Sequence, residues 1–227
     1  MVQVTLNEAA DILDVGRTAV VHYLESGRLK AVGRIGRTTL LERADVLALK
    51  GEPLRRGRSW SPRIAWAAIA LLSGQRVDWL GADELSRIKR RLTGYDVEAV
   101  RHLARHRAIT FSFDAPENVR GHLESLALVT GETSLQDAEV ARSFGLAGGR
   151  GGRLDGYVTA AQARPIAGAL GLAEVHRGNV TLRETTIEQP FAAGRTPIAA
   201  VALDLMDSPD TRLASAGRQK MKELLGG

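Results

Sequence analysis

The 227-residue chain has no cysteine, and that absence removes several chemistries at once. A disulfide scaffold, a thiol nucleophile and a zinc site built on thiolates are excluded, and the composition fits a reducing cytoplasm. Aromatic residues are scarce, at 4%, so the core must be assembled mostly from Leu, Ala, Val and Ile. Long hydrophobic runs are missing too. The longest, Ile64 to Leu72, is about half of the ~20 residues that span a bilayer. The start, Met1 to Glu8, has no cationic cluster ahead of an apolar run, so no signal peptide is expected. A soluble cytoplasmic protein with one large domain or two smaller ones is the expectation.

Catalytic signatures are equally thin. There is no Gly-x-Ser-x-Gly elbow, and no acid–base pair can be named. The loop Gly145 to Gly152 is glycine-rich but lacks the Lys-Ser/Thr of a phosphate-binding loop, and a strand follows it where a helix should. It reads as a flexible connector. His102 and His106 stand four apart, a metal-compatible spacing on a helix, yet Arg101, Arg105 and Arg107 flank them and no third ligand is near. The expectation is no enzyme, no cofactor and no metal.

What is present is charge, unevenly spread. The net charge is +5, with +3 in residues 1–60, +4 in residues 61–110 and −2 in residues 111–227. A basic front half suits a polyanion, although solvated Arg-rich helices would give the same count.

The first fifty residues give that charge a geometry. Thr5 with Glu8 forms a capping box, and Leu6, Ala9, Ala10 and Leu13 recur at helical spacing. Asp14-Val15-Gly16 breaks the helix, with Gly16 expected to take a turn conformation that resists a side chain. A second helix, Arg17 to Glu25, turns Ala19, Val20, Tyr23 and Leu24 inward and leaves Arg17, Thr18, Val21 and His22 outside, with Gly27 as its stop. Alternation from Leu29 to Leu41 around Gly33 to Arg37 reads as a two-stranded wing, and Arg43 to Leu49 as a closing helix. Helix, turn, helix and basic wing is the order that places one helix in a DNA major groove. Arg17 and His22 are then candidates for guanine edges, and Thr18 for a phosphate or a thymine methyl, with Val21 on the same face. Arg28, Lys30, Arg34 and Arg37, and the linker residues Arg55, Arg56 and Arg58, are candidates for phosphates.

Downstream, Ser61-Pro62 opens a helix whose stretch Ile64 to Leu72 is apolar all round and therefore buried. Helices Ala82 to Leu92 and Asp96 to Arg107 carry cationic faces, which extends the expected DNA surface as far as Arg107. Then come a strand (Ile109 to Phe113), a helix (Pro116 to Ala127), a strand (Leu154 to Val158) and a helix (Ala160 to Leu170). A hairpin pairing Ala173 to Val175 with Val180 to Arg183 follows, and helices Pro197 to Met206 and Thr211 to Leu225 end the chain. Asp204, Asp207 and Asp210 read as an acidic edge for a protein partner, or Asp210 as a helix cap. The predicted fold class is α+β: a winged helix-turn-helix at 1–52, a basic linker and helical segment at 53–108, and a C-terminal α+β domain with a small sheet at 109–227.

The string Leu6-Asn7-Glu8-Ala9-Ala10 through Val15, then Tyr23 to Leu29, Arg34-Ile35-Gly36-Arg37 and Ala44-Asp45-Val46, resembles the excisionase/MerR-like winged helix-turn-helix over about residues 4–49. It departs at Gly16, where that family often has a capping Ser or Thr. Ser61 to Gly74, Gly156-Tyr157-Val158 with Ala160, Val201 to Leu205, Ser208 to Arg212 and Ala216-Gly217 are similar to actinobacterial AbiE-class antitoxins of type IV toxin–antitoxin pairs. That resemblance implies a helix-turn-helix that represses its own operon and a C-terminal domain that antagonises a nucleotidyltransferase-like toxin. Residues 114–146 have no counterpart in it. The alternative expectation is a phage, mobile-element or ligand-responsive DNA-binding regulator whose later region adds DNA contacts or senses a ligand.

Overall fold

The computed structural model describes residues 2–13, 15–25, 29–36, 38–51, 58–149, 151–176 and 178–226. The chain divides into two compact units, Met1–Arg56 and Gly57–Gly227, each with its own core, in an α+β fold.

In the first unit, β1 (Gln3–Thr5) leads directly into α1 (Leu6–Leu13), followed by α2 (Arg17–Glu25), the strands β2 (Ala31–Ile35) and β3 (Thr38–Glu42), and α3 (Arg43–Gly51). The two wing strands pair antiparallel as the alternation predicts, and β1 adds a third strand on the far side of β3. Three residues are too short to show a period, so β1 was not legible. Of the two expected helical stripes, Ala9, Ala10, Leu13 and Val20 are buried and meet Val4, Leu29, Leu41 and Val46 in one apolar cluster, while Leu6, Ala19, Tyr23 and Leu24 are half-buried. Gly36, at the wing turn, has φ +61, a conformation that favours glycine.

The second unit opens with α4 (Pro62–Leu72), α5 (Ala82–Leu92) and α6 (Val97–Leu103), then β4 (Ile109–Phe113), α7 (Glu117–Leu126), β5 (Leu128–Val129) and α8 (Ala138–Ser143). It continues with β6 (Leu154–Thr159), α9 (Ala163–Ala169), β7 (Val180–Thr185), α10 (Ile198–Met206) and α11 (Thr211–Gly226). Its sheet runs β4-β7-β6-β5. β6 and β7 are parallel and joined through α9, while both outer pairs are antiparallel. The expected hairpin is corrected here. β7 takes β4 and β6 as partners, and Glu174 bridges to Phe113 instead. Two long-range strands satisfy more backbone groups of β7 than a three-residue neighbour could.

Side chains alternate across the sheet. Leu154, Val158, Val180 and Leu182 join Phe113, Leu123, Ala163 and Ala167 on one face. Tyr157 points to the other, where Trp66 of α4, Phe191 and α10, buried from Ala199 to Met206, form the larger core. Trp66 lies edge-on to both Tyr157 and Phe191, with ring centroids 5.1 and 4.8 Å away. α11 crosses α10 at Gly217, where a Cβ would stand 2.6 Å from the Ala202 carbonyl oxygen, so only glycine permits that approach. α8 and β5 fall in the stretch 114–146 and escaped the periodicity because each is under two helical turns or three residues long.

Candidate nucleic-acid interface

The scaffold of the helix-turn-helix is set by local hydrogen bonds. The Thr5 amide and hydroxyl both donate to the Glu8 carboxylate, at 2.7 and 2.9 Å, and the Glu8 amide donates back to the Thr5 hydroxyl at 3.3 Å. This is the predicted capping box, and the bonds from Thr5 hold the Glu8 carboxyl below its ordinary range. The turn is closed by the Val15 amide on the Ala10 carbonyl (3.1 Å) and the Ala19 amide on the Gly16 carbonyl (2.9 Å). Gly16 itself is not required by geometry. Its φ is not in the left-handed region, and nothing lies within 4 Å of where a Cβ would be.

On this scaffold Arg17 and Thr18 are exposed and Val21 is half-buried, at the start and on the flank of α2. Lys30, just ahead of the wing, and Arg34, on β2, are exposed. Arg58 is exposed as well but belongs to the second unit. Arg28, Arg37, Arg55 and Arg56 lie outside the described residues, as do Asp14, Gly27 and the side chain of His22.

The cationic faces of the next helices divide sharply. On α5, Arg87, Lys89, Arg90 and Arg91 are exposed, and three of them occupy its last turn, where positive charge is favoured by the helix dipole. The face expected to reach Arg107 is a correction. Arg101 bonds Asp207 at 2.7 Å, and Arg105 turns onto the His102 carbonyl at 2.7 Å. Arg107 is buried. The helix also ends at Leu103, which takes His106 off the face that a His pair would share. Among the described residues no group of three His, Asp or Glu could hold a metal.

Arg107 belongs to a network whose members share no common spacing along the chain. Its Nη2 pairs with Asp204 Oδ1, and its Nε donates to the Tyr157 hydroxyl at 3.0 Å. Tyr157 donates to Asp204 Oδ1 (3.2 Å), Thr130 donates to Asp204 Oδ2 (2.6 Å), and Arg183 Nε sits 3.1 Å from Asp204 Oδ1. Arg183 also reaches Asp155 at 3.3 Å. Two guanidiniums and two carboxylates therefore cancel inside the unit. Burial pushes the Asp204 carboxyl up, but Arg183 and Arg107 outweigh it and leave it below its ordinary value. Burial pushes the Tyr157 phenol well above its own, with Arg107 only partly opposing. Both arginines stay charged because their neighbours more than offset their desolvation: Tyr157 and Asp204 beside Arg107, Asp204 and Asp155 beside Arg183. Asp204 is thus no part of an acidic docking edge. Asp210 is the cap of α11, accepting from the Arg212 and Leu213 amides at 2.8 and 3.2 Å.

The glycine loop is packed at several points. The Gly149 amide donates to the Leu135 carbonyl, Arg120 donates to the Gly151 carbonyl, and the Glu132 carboxylate occupies the place of a Gly151 Cβ.

Comparison with known proteins agrees with the first unit. The family model described as a helix-turn-helix domain matches residues 4–52, and this domain supports DNA binding and a DNA-binding regulator. No curated protein matches the chain, and no solved structure does. Among the described residues, no helix is long and apolar enough to cross a membrane.

Proposed function

We propose that the protein is a sequence-specific transcriptional regulator that reads its operator with α2 and grips the flanking backbone with the wing. The observation that carries this is the exposure of Arg17 and Thr18 at the start of a helix fixed by a capped partner helix and a three-stranded sheet. In this reading Arg17 and His22 donate to guanine O6 and N7, while Thr18 and Val21 meet a phosphate or a thymine methyl. Arg28, Lys30, Arg34 and Arg37 neutralise phosphates, and Arg55, Arg56 and Arg58 extend that contact. Anisotropy on a selected operator tests it. Arg17→Ala and His22→Ala should each weaken specific binding by about 1–3 kcal/mol with the fold intact. Unchanged affinity in both would remove α2 as the reading helix.

The finer role we propose is an autorepressing antitoxin, with a nucleotidyltransferase-like toxin as the protein partner. Its support is the AbiE-class resemblance; of the residues that carry it, Pro209 to Arg212 are exposed, while Trp66, Tyr157 and Asp204 are neighbours in the second core. Such buried positions argue for a shared fold more than for a shared contact surface. Co-expression with the product of an adjacent nucleotidyltransferase-like gene should give relief of toxicity. Toxicity unrelieved by this protein would reject the role.

A ligand-responsive regulator is the second reading, favoured by two cavities in the second unit. A cleft of about 690 Å³ opens beside Thr159 and Thr185, at the carboxyl ends of the parallel strands, where open α/β sheets bind ligands. A smaller cavity lies between α8 and α10.

A further inference from the structure

The smaller cavity, about 320 Å³, has an aliphatic wall of Val129, Val140, Ile198 and Val201. Ser134 lines it too, at 6% exposure, and its Oγ has no hydrogen-bond partner among the described residues. Neighbouring hydroxyls are satisfied: Thr196 donates to the Val129 carbonyl and Ser143 to the Val140 carbonyl, each at 2.7 Å. A lone buried hydroxyl in an apolar wall is unfavourable unless something completes it. Charged groups of both signs accompany it. Arg195, Glu139 and Asp137 line the cavity, all three are exposed, and none makes an ion pair among the described residues, although Asp137 Oδ1 accepts from the Glu139 and Val140 amides as the cap of α8.

We propose that this cavity binds a free α-amino acid whose side chain carries one hydrogen-bonding group, a hydroxyl or a carboxamide. Arg195 takes the carboxylate, Glu139 the ammonium, the aliphatic wall the methyl or methylene groups, and Ser134 the deep polar atom. An anion alone would leave Glu139 and Asp137 opposing it, and a purely aliphatic ligand would leave Ser134 orphaned. The inference deepens the ligand-responsive reading and depends on it only for its consequence. That consequence has a physical route: Val129 precedes Thr130, which bonds Asp204, and Val201 stands one turn before Asp204 on α10.

Calorimetry on the full chain, without DNA, compares threonine with its isostere valine, and glutamine with methionine, up to about 10 mM, beyond ordinary millimolar affinity. The hydroxyl or carboxamide member of a pair should bind about tenfold or more tighter, because a site with a buried polar group rejects the analogue that leaves it unpaired. Ser134→Ala should fold with an unlowered Tm and level that pair. Arg195→Ala, at an exposed position, should weaken the amino acid while binding its carboxamide derivative no worse than wild type does. No binding of any of the four by the wild type, or an undiminished threonine or glutamine preference in Ser134→Ala, would overturn the proposal. Operator affinity measured with and without the bound amino acid is a separate readout. No change there would reject the responsive reading and leave the site standing.

Discussion

Asp204 concentrates the energetics of the second unit in one side chain. It accepts from Thr130 and Tyr157 and faces both buried arginines. Asp204→Asn keeps the shape but leaves Arg183 facing Asp155 and Arg107 facing only the more distant, partly exposed Asp207 at 3.8 Å, so it should cost about 3–5 kcal/mol in urea unfolding. Because the folded Asp204 carboxyl lies below its unfolded value, its contribution is full above the unfolded value of about 4 and fades as pH falls through the folded one. Tyr157 acts in the opposite direction. Its folded pKa is raised, so the neutral phenol stabilises fully below about pH 10 and that contribution is lost as pH rises further. Unfolding followed against pH should show both limbs, with the alkaline one shallower in Tyr157→Phe. A stability profile of Tyr157→Phe that keeps the wild-type alkaline slope would contradict this account. Gly131 adds a backbone test. It has φ +52, and a Cβ would meet Asp155 Oδ2 at 2.8 Å, so Gly131→Ala should destabilise by about 1–3 kcal/mol.

At the scale of elements, the wing and α2 have separable duties. Arg34→Ala on β2 should weaken operator and unrelated DNA alike and reduce the salt slope of binding by about one, whereas Arg17→Ala should act on the operator first. A change in sequence preference with Arg34→Ala would reassign the wing to base reading. These elements were legible because their signals are local: a capping box spans four residues and a helical stripe repeats every turn. The buried network was not, because Arg107, Thr130, Asp155, Tyr157, Arg183 and Asp204 come from separate elements with no common spacing. One signal for it did exist. A lone Asp in the apolar run Val201 to Met206 has no place in a buried helix unless cations meet it. The failed hairpin at 173–183 has the same origin, since strand partners chosen across seventy residues leave no trace in a local pattern.

At the scale of the whole molecule, each unit has apolar clusters of its own among the described residues: the first around Leu41 and Val20, the second around Trp66 and Leu203 on one face of its sheet and around Phe113 and Leu182 on the other. Leu41→Ala and Leu203→Ala, both fully buried, should each cost about 2–5 kcal/mol. Each loss should fall on the transition of its own unit. Calorimetric scans in which either substitution shifts both transitions equally would mean that the units unfold as one. DNA binding should follow the first unit's transition alone.

The arginines of this protein serve two environments that respond oppositely to dissolved ions. Arg107 and Arg183 sit behind a protein wall with their counter-charges already in place, where mobile salt has little access. Arg17 and Arg34 stand in water, where any phosphate they hold competes with every ion in solution. Concentrated salt should therefore strip nucleic acid from the purified protein without loosening the fold of the second unit. Brine that releases the cargo is then also a gentle solvent in which to store the molecule.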